Sequence, residues 1–193
     1  MSDRSKVDQE REDGEAPSTL CLRLPHELTE VEVTIHSMTI ANNSDGLAQR
    51  LLIAQFCATW TMVGIIWFVQ VVHYPMFRLV GSGTFEAYHA SHVRLITWVV
   101  GPPMMVEALC AFLLILYRPA YVSVMAALSG ALLLLIIWGS TALVQVPLHE
   151  LLSRGFQQEP YRRLVLTNWV RTVSWTLRGI LTAWMVCSGL TFR

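Results

Sequence analysis

The sequence has no paired cysteines, and this absence argues against two classes of protein. Its four cysteines, Cys21, Cys57, Cys110 and Cys187, stand singly, without a CxxC motif. A zinc finger or a dithiol redox enzyme needs such pairs, so the thiols inside apolar segments are most simply small buried groups. The sequence also contains no HExxH motif or His-box repeat. It therefore names no cofactor and no metal.

A strongly basic stripe is also missing, which argues against nucleic acid as a partner. The net charge is zero but unevenly distributed: residues 1–46 hold ten Asp or Glu and four Lys or Arg, and the remainder holds four and ten. The acidic segment lacks the basic start and apolar core of a signal peptide. Its composition predicts a disordered tail over 1–46, within which Met38 is an alternative translation start.

Apolar residues make up 53% of the chain, whose mean hydropathy is +0.45, and they gather in four blocks. Blocks 51–72 and 121–146 contain no charged residue, 95–116 contains only Glu107, and 169–190 contains two arginines. Each block reaches the roughly 20 residues that a helix needs to cross about 30 Å of hydrocarbon. We predict an all-α, four-transmembrane-helix bundle over 47–193, multi-pass in the lipid bilayer of the cell (inner) membrane.

The two halves of this domain resemble each other. Pro75 and Pro147 lie at the exits of the first and third blocks, and each following connection contains an E-x-Y triplet. Arg94 and Arg171, each followed by a hydroxyl residue and Trp, lie at the entries to the second and fourth blocks. Two similar helical hairpins explain this pattern. Both connections would then lie on one side, and their arginines favour the cytoplasm.

The histidines of the membrane domain fall in these two connections: His73, His89, His92 and His149. His89 and His92 are three residues apart and share one face of a helix. Imidazoles that converge at an interface could bind a transition metal or haem, or move protons for an oxidisable substrate. The alternative is that these rings only hydrogen-bond lipid head groups.

Arg178 lies inside the fourth block, where an arginine at the centre costs roughly 2.5–3.5 kcal/mol on insertion scales. Asn168, Arg171, Trp175 and Arg178 follow helical spacing, which predicts one polar face. Glu107 is the only carboxylate in the four blocks and the natural counter-ion of Arg178 or Arg171. Three alternatives follow for Arg178. Its pair with Glu107 only holds helices together, the pair shapes a site for a substrate or a proton, or the arginine side chain snorkels to the membrane interface instead.

The motifs VPLH at 146–149 and TNWVR at 167–171 resemble the small four-helix membrane proteins of the anthrone-oxygenase-like family. That family typically shows V-P-L-N at the end of its third helix, then an Asn and an Arg entering the fourth. Pro147 and Leu148 match this pattern, as do Asn168 and Arg171, whereas His149 stands where the family often has Asn. The resemblance implies oxidation of a phenolic or quinone-like molecule without an obvious cofactor.

The favoured function is therefore that of a membrane-embedded oxidoreductase or oxygenase-like protein acting on a lipophilic small molecule. The alternative is a non-catalytic membrane subunit or small transporter whose buried charges are structural. A homo-oligomer is left open. The candidate site residues are His73, His89, His92, His149, Glu107, Asn168, Arg171 and Arg178.

Overall fold

The computed structural model describes residues 26–191, in which all regular structure is helical and no strand occurs. The helices are α1 His26–Phe68, α2 Tyr74–Met76, α3 Phe85–Leu116, α4 Val124–Ser140, α5 Val146–Leu152 and α6 Gln158–Thr191. The chain forms two units, Met1–Thr39 and Ile40–Arg193. The all-α class predicted from the sequence is confirmed.

The predicted N-terminal tail falls partly outside the described residues. Residues 1–25 are outside them, and residues 26–46 are the first part of α1. Extending an existing helix adds about one hydrogen bond per residue and needs no new nucleus. Polar residues can therefore continue a helix that an apolar segment has started.

Three helical stretches are long and apolar enough to cross a membrane: Asp45–Leu79, Phe85–Leu116 and Val124–Leu152. Only 44%, 28% and 17% of their apolar windows are buried inside the protein. Large apolar surfaces left uncovered by protein are expected where lipid is the solvent. These helices are those of a multi-pass membrane protein, as predicted. On the same criteria of length and composition, α6 is not among them.

One π-helical turn interrupts each of two helical stretches, at Val69–His73 after α1 and at Thr141–Gln145 after α4. Each turn ends two residues before a proline. A proline has no N–H, and its ring clashes with the carbonyl four residues earlier; a π turn gives the backbone extra width at such a point. The two turns bury Gln70 and Gln145, which are 3% and 2% exposed.

The last helix, α6, packs along α4 and α5. It also closely approaches α1 at Gly179, where an added Cβ would lie 3.1 Å from Cγ2 of Val63. The buried face of α6 contains Asn168, Arg171, Trp175 and Arg178. The polar face predicted from helical spacing is therefore present, and it points into the protein.

Candidate functional site

The four candidate histidines come together although three separate elements hold them. His73 ends the first π turn, His89 and His92 lie near the start of α3, and His149 lies in α5. The ring centroids are 4.4 Å apart for His73 and His92, 5.2 Å for His89 and His149, and 5.7 Å for His92 and His149. These four rings are called the histidine cluster below.

Hydrogen bonds divide the histidine cluster into two pairs. Nε2 of His73 lies 2.7 Å from Nδ1 of His92, and Nε2 of His89 lies 3.0 Å from Nδ1 of His149. The other nitrogen of His149, Nε2, lies 3.1 Å from the hydroxyl of Tyr74. In each imidazole pair one nitrogen donates its proton and the other accepts it. Each pair is therefore a path along which a proton can move.

Within residues 26–191, no group of three or more His, Cys, Asp or Glu is arranged to hold a metal ion. The paired hydrogen bonds suit proton transfer, which is one of the two chemistries that the sequence left open for these histidines.

Aromatic rings surround the histidine cluster. Phe77 is fully buried and meets His73, His89 and His92 edge-on, with ring centroids 5.3, 5.9 and 5.2 Å apart. Phe85 stacks on His89 at 5.7 Å. Such packing limits the rotation of the imidazoles and keeps water from that side of the histidine cluster.

A cavity of about 680 Å³, called the larger cavity, lies beside the histidine cluster. This volume suits a drug-sized ligand. Val93, Trp98 and Val146 on its wall are exposed apolar residues from α3 and α5, so the larger cavity opens towards the apolar surface. The polar side chains that argue for ligand binding here are Tyr74, His89, His92, Gln145, His149 and Arg171.

A second cavity of about 540 Å³, called the smaller cavity, lies between α1 and α3. Its wall includes Phe68, Leu95 and Val99 together with His73 and His92. His92 lines both cavities. The His73–His92 hydrogen bond therefore connects the wall of the larger cavity with that of the smaller one.

Arg171 lies on the wall of the larger cavity, and contacts with Asn168 and Trp175 hold its side chain in place. Its Nη1 donates to Oδ1 of Asn168 at 3.0 Å, and Nδ2 of Asn168 donates to Oε1 of Gln70 at 2.8 Å. The guanidinium carbon lies 5.3 Å from the ring centroid of Trp175. Asn168 is fully buried and is not on the cavity wall, so its role is to position Arg171.

Glu107 and Arg178 form a separate polar centre. Nε of Arg178 donates to Oε1 of Glu107 at 2.6 Å, and both side chains are fully buried. The pairing expected from the sequence is therefore present, with Arg178 as the partner. Neither residue lines the larger or the smaller cavity. Asn168 is the other candidate site residue that lines neither cavity.

Sequence reasoning missed Tyr74, Gln70 and Gln145. Tyr74 follows His73 directly, and an aromatic residue at the end of a membrane helix is an ordinary interface feature. The two glutamines lie inside apolar blocks that contain no charge. An uncharged amide in such a block signals a buried hydrogen-bonding partner, and that signal would have found both residues.

No family model, no curated protein and no solved structure matches this chain. The function must therefore be argued from the residues of the site.

Proposed function

We propose that this chain is a membrane-embedded oxidoreductase or oxygenase-like protein that admits a lipophilic molecule with a phenolic or quinone-like head group. The observation that carries the proposal is the larger cavity, which joins an apolar opening to a wall that contains three imidazoles and the buried guanidinium of Arg171. An apolar molecule dissolved in the bilayer would enter from the lipid side. Its oxygen atoms would reach the polar wall, where hydrogen bonds fix its orientation.

In this proposal α6 is the fourth membrane helix, and the bundle consists of two related hairpins. The polar residues Asn168, Arg171 and Arg178 of α6 are buried, whereas five apolar residues of the same helix are between 48% and 58% exposed: Val170, Val173, Leu177, Ile180 and Trp184. A helix that hides its polar residues and exposes its apolar ones is suited to lipid on its outer face. The recurrence of a π turn before Pro75 and Pro147 supports the relation between the hairpins.

His92 is placed to take a proton from the ligand. Its Nδ1 is hydrogen-bonded to His73, and no hydrogen bond to Nε2 occurs among the described residues. A phenolic hydroxyl bound at Nε2 would transfer its proton there while the Nδ1 proton moves to Nε2 of His73. The ligand loses one proton, His73 gains one, and His92 changes only its tautomer.

Oxidation also requires an electron acceptor, and dioxygen has this role in the proposed reaction. A hydroquinone that becomes a quinone releases two protons and two electrons. Dioxygen takes up both electrons and two protons to form hydrogen peroxide, so atoms and electrons balance. The described residues supply binding and proton transfer in this reaction.

Equilibrium binding of a decyl-substituted benzoquinone to the full chain in lipid nanodiscs tests the proposal. Wild type should bind saturably, and His92→Phe should weaken binding at least about fivefold, because an unpaired ligand oxygen costs roughly 1–3 kcal/mol. His36→Phe is the matched control, since His36 is exposed and lies outside both cavities. Binding of the benzoquinone that rises linearly with its concentration and never saturates would contradict the proposal. Equal affinity of wild type, His92→Phe and His36→Phe would also contradict it.

The second candidate is a non-catalytic membrane subunit or small transporter. The buried Glu107–Arg178 ion pair favours this candidate, because a pair of this kind can hold helices together without taking part in a reaction. Oxygen uptake that depends on the corresponding hydroquinone and is reduced in His92→Phe at saturating ligand would favour the enzyme. Saturable binding without oxygen uptake would favour the second candidate.

A further inference from the structure

Arg171 is a buried cation without an anionic partner. It is 7% exposed, and within the described range the ion pairs are Arg163–Glu159 and Arg178–Glu107. Its Nε has no hydrogen-bond partner there either. An ionised group removed from water is costly unless an opposite charge compensates it. The wall of the larger cavity therefore has a positive charge that the described residues leave unmatched.

The neighbours of Arg171 are polar or aromatic but uncharged. They are the side-chain oxygen of Asn168, the face of Trp175 and the phenol of Tyr74, and a phenol is ordinarily neutral near pH 7. These groups orient the guanidinium without neutralising it.

Neither Glu107 nor Glu150 compensates the charge of Arg171. Glu107 accepts hydrogen bonds from Thr59, Trp175 and Arg178, so both its oxygens are engaged. Glu150 lines the larger cavity, but its side chain is exposed and forms no ion pair with Arg171. The missing negative charge must therefore come from elsewhere, and the larger cavity is the space in which a ligand could supply it.

We propose that the ligand of the larger cavity is an amphipathic oxyanion, a carboxylate or phenolate on an apolar body, whose oxygen pairs with Arg171. The inference rests on the proposed function and adds that the head group of its ligand is acidic. The planar guanidinium donates hydrogen bonds in a fork that fits such an oxyanion. The apolar body would lie against Met62, Ile66 and Val69 on the same wall.

Matched pairs of probes test this proposal on the full chain in nanodiscs. The first pair is 4-decylbenzoate and its methyl ester. The second, used at mildly alkaline pH, is 4-decyl-2,6-difluorophenol and its methyl ether. Wild type should bind at least one anion about tenfold more tightly than its neutral partner, as a charge-assisted hydrogen bond allows. The pair with the larger ratio shows whether a carboxylate or a phenolate is preferred.

Two variants locate the preference at Arg171. In Arg171→Gln the preference for the anion should be largely lost, because the other arginine on this wall, Arg94, is exposed. An unchanged unfolding temperature in detergent would show that the variant is folded. Arg171→Lys keeps the charge and should keep part of the preference. If Arg171→Gln does not fold, the inference is tested by the ratio of the affinities for the anion and its neutral partner, measured in wild type and in Arg171→Lys.

Equal wild-type affinity for anion and neutral partner in both pairs would overturn the inference, and so would an undiminished preference in Arg171→Gln. If the benzoquinone still bound saturably in that case, the proposed function would stand and only the acidic head group would be wrong. If neither the benzoquinone nor any of these probes bound saturably, both proposals would fail.

Discussion

Nε of Arg178 lies 2.6 Å from Oε1 of Glu107, and neither side chain is exposed. Glu107 also accepts hydrogen bonds from Thr59 at 2.6 Å and from Trp175 at 3.1 Å. Arg178 donates a further bond to the carbonyl oxygen of Gly130. This one centre therefore connects α1, α3, α4 and α6.

Removing one partner of this pair should destabilise the protein strongly. Glu107→Gln and Arg178→Gln should each lower the free energy of unfolding in detergent by about 3–5 kcal/mol, because each leaves a buried charge unpaired. The double variant should be less destabilised than the sum of the two, since it leaves neither charge. Reversible unfolding of the four proteins of this cycle measures the coupling.

The exposed pair Arg163–Glu159 in α6 is the control for that cycle. Its side chains are 67% and 62% exposed, and exposed pairs contribute about 0–1 kcal/mol. Glu159→Gln and Arg163→Gln should therefore change stability little. Additive effects at Glu107 and Arg178, or effects no larger than those of the exposed pair, would show that the buried pair does not hold the helices together.

The features that depend on composition and helical period could be predicted from the sequence. The apolar blocks 51–72, 95–116 and 121–146 indicated helices that are long and apolar enough to cross a membrane, and the spacing from Asn168 to Arg178 indicated the buried face of α6. Glu107 was recognisable because it is the only carboxylate in the four blocks. These arguments work because lipid contact and the 3.6-residue repeat act on each segment separately.

The pairing within the histidine cluster could not be predicted. His73 bonds to His92 although His89 shares the same face of α3, and His149 reaches His89 from α5. Which rings meet depends on how α3, α5 and the first π turn pack, and spacing along the chain contains no such information. The π turns were missed because a proline at a helix exit is also common without one.

Both connections between membrane helices should lie on the cytoplasmic side. In a cysteine-free background, Ser82→Cys and Ser153→Cys introduce exposed thiols in the two connections, and Arg118→Cys introduces one between α3 and α4. A membrane-impermeant maleimide should label Arg118→Cys in intact cells and the other two only after permeabilisation, because the arginines concentrate in the connections. Labelling of Ser82→Cys and Ser153→Cys from opposite sides would exclude two parallel hairpins.

Protein purified in mild detergent should contain well under one iron, copper or zinc ion per chain and show no Soret band. The reason is geometric: the nitrogens of the histidine cluster bond to one another in pairs, whereas a metal site needs several donors aimed at one point. Elemental analysis and an absorption spectrum measure this. A stoichiometric metal that is lost in His89→Ala and His149→Ala would refute the proton-transfer interpretation.

If the larger cavity binds the ligand, a bulky side chain on its wall should block binding. Ala90 lies on its wall, whereas Ala87, also on α3, is exposed and lines neither cavity. The measurement is saturable binding of the decyl-substituted benzoquinone to Ala90→Phe and Ala87→Phe in nanodiscs. Ala90→Phe should weaken binding about tenfold or more, because the added ring fills space that the ligand needs, whereas Ala87→Phe should bind like wild type. Wild-type affinity in a folded Ala90→Phe would contradict the account.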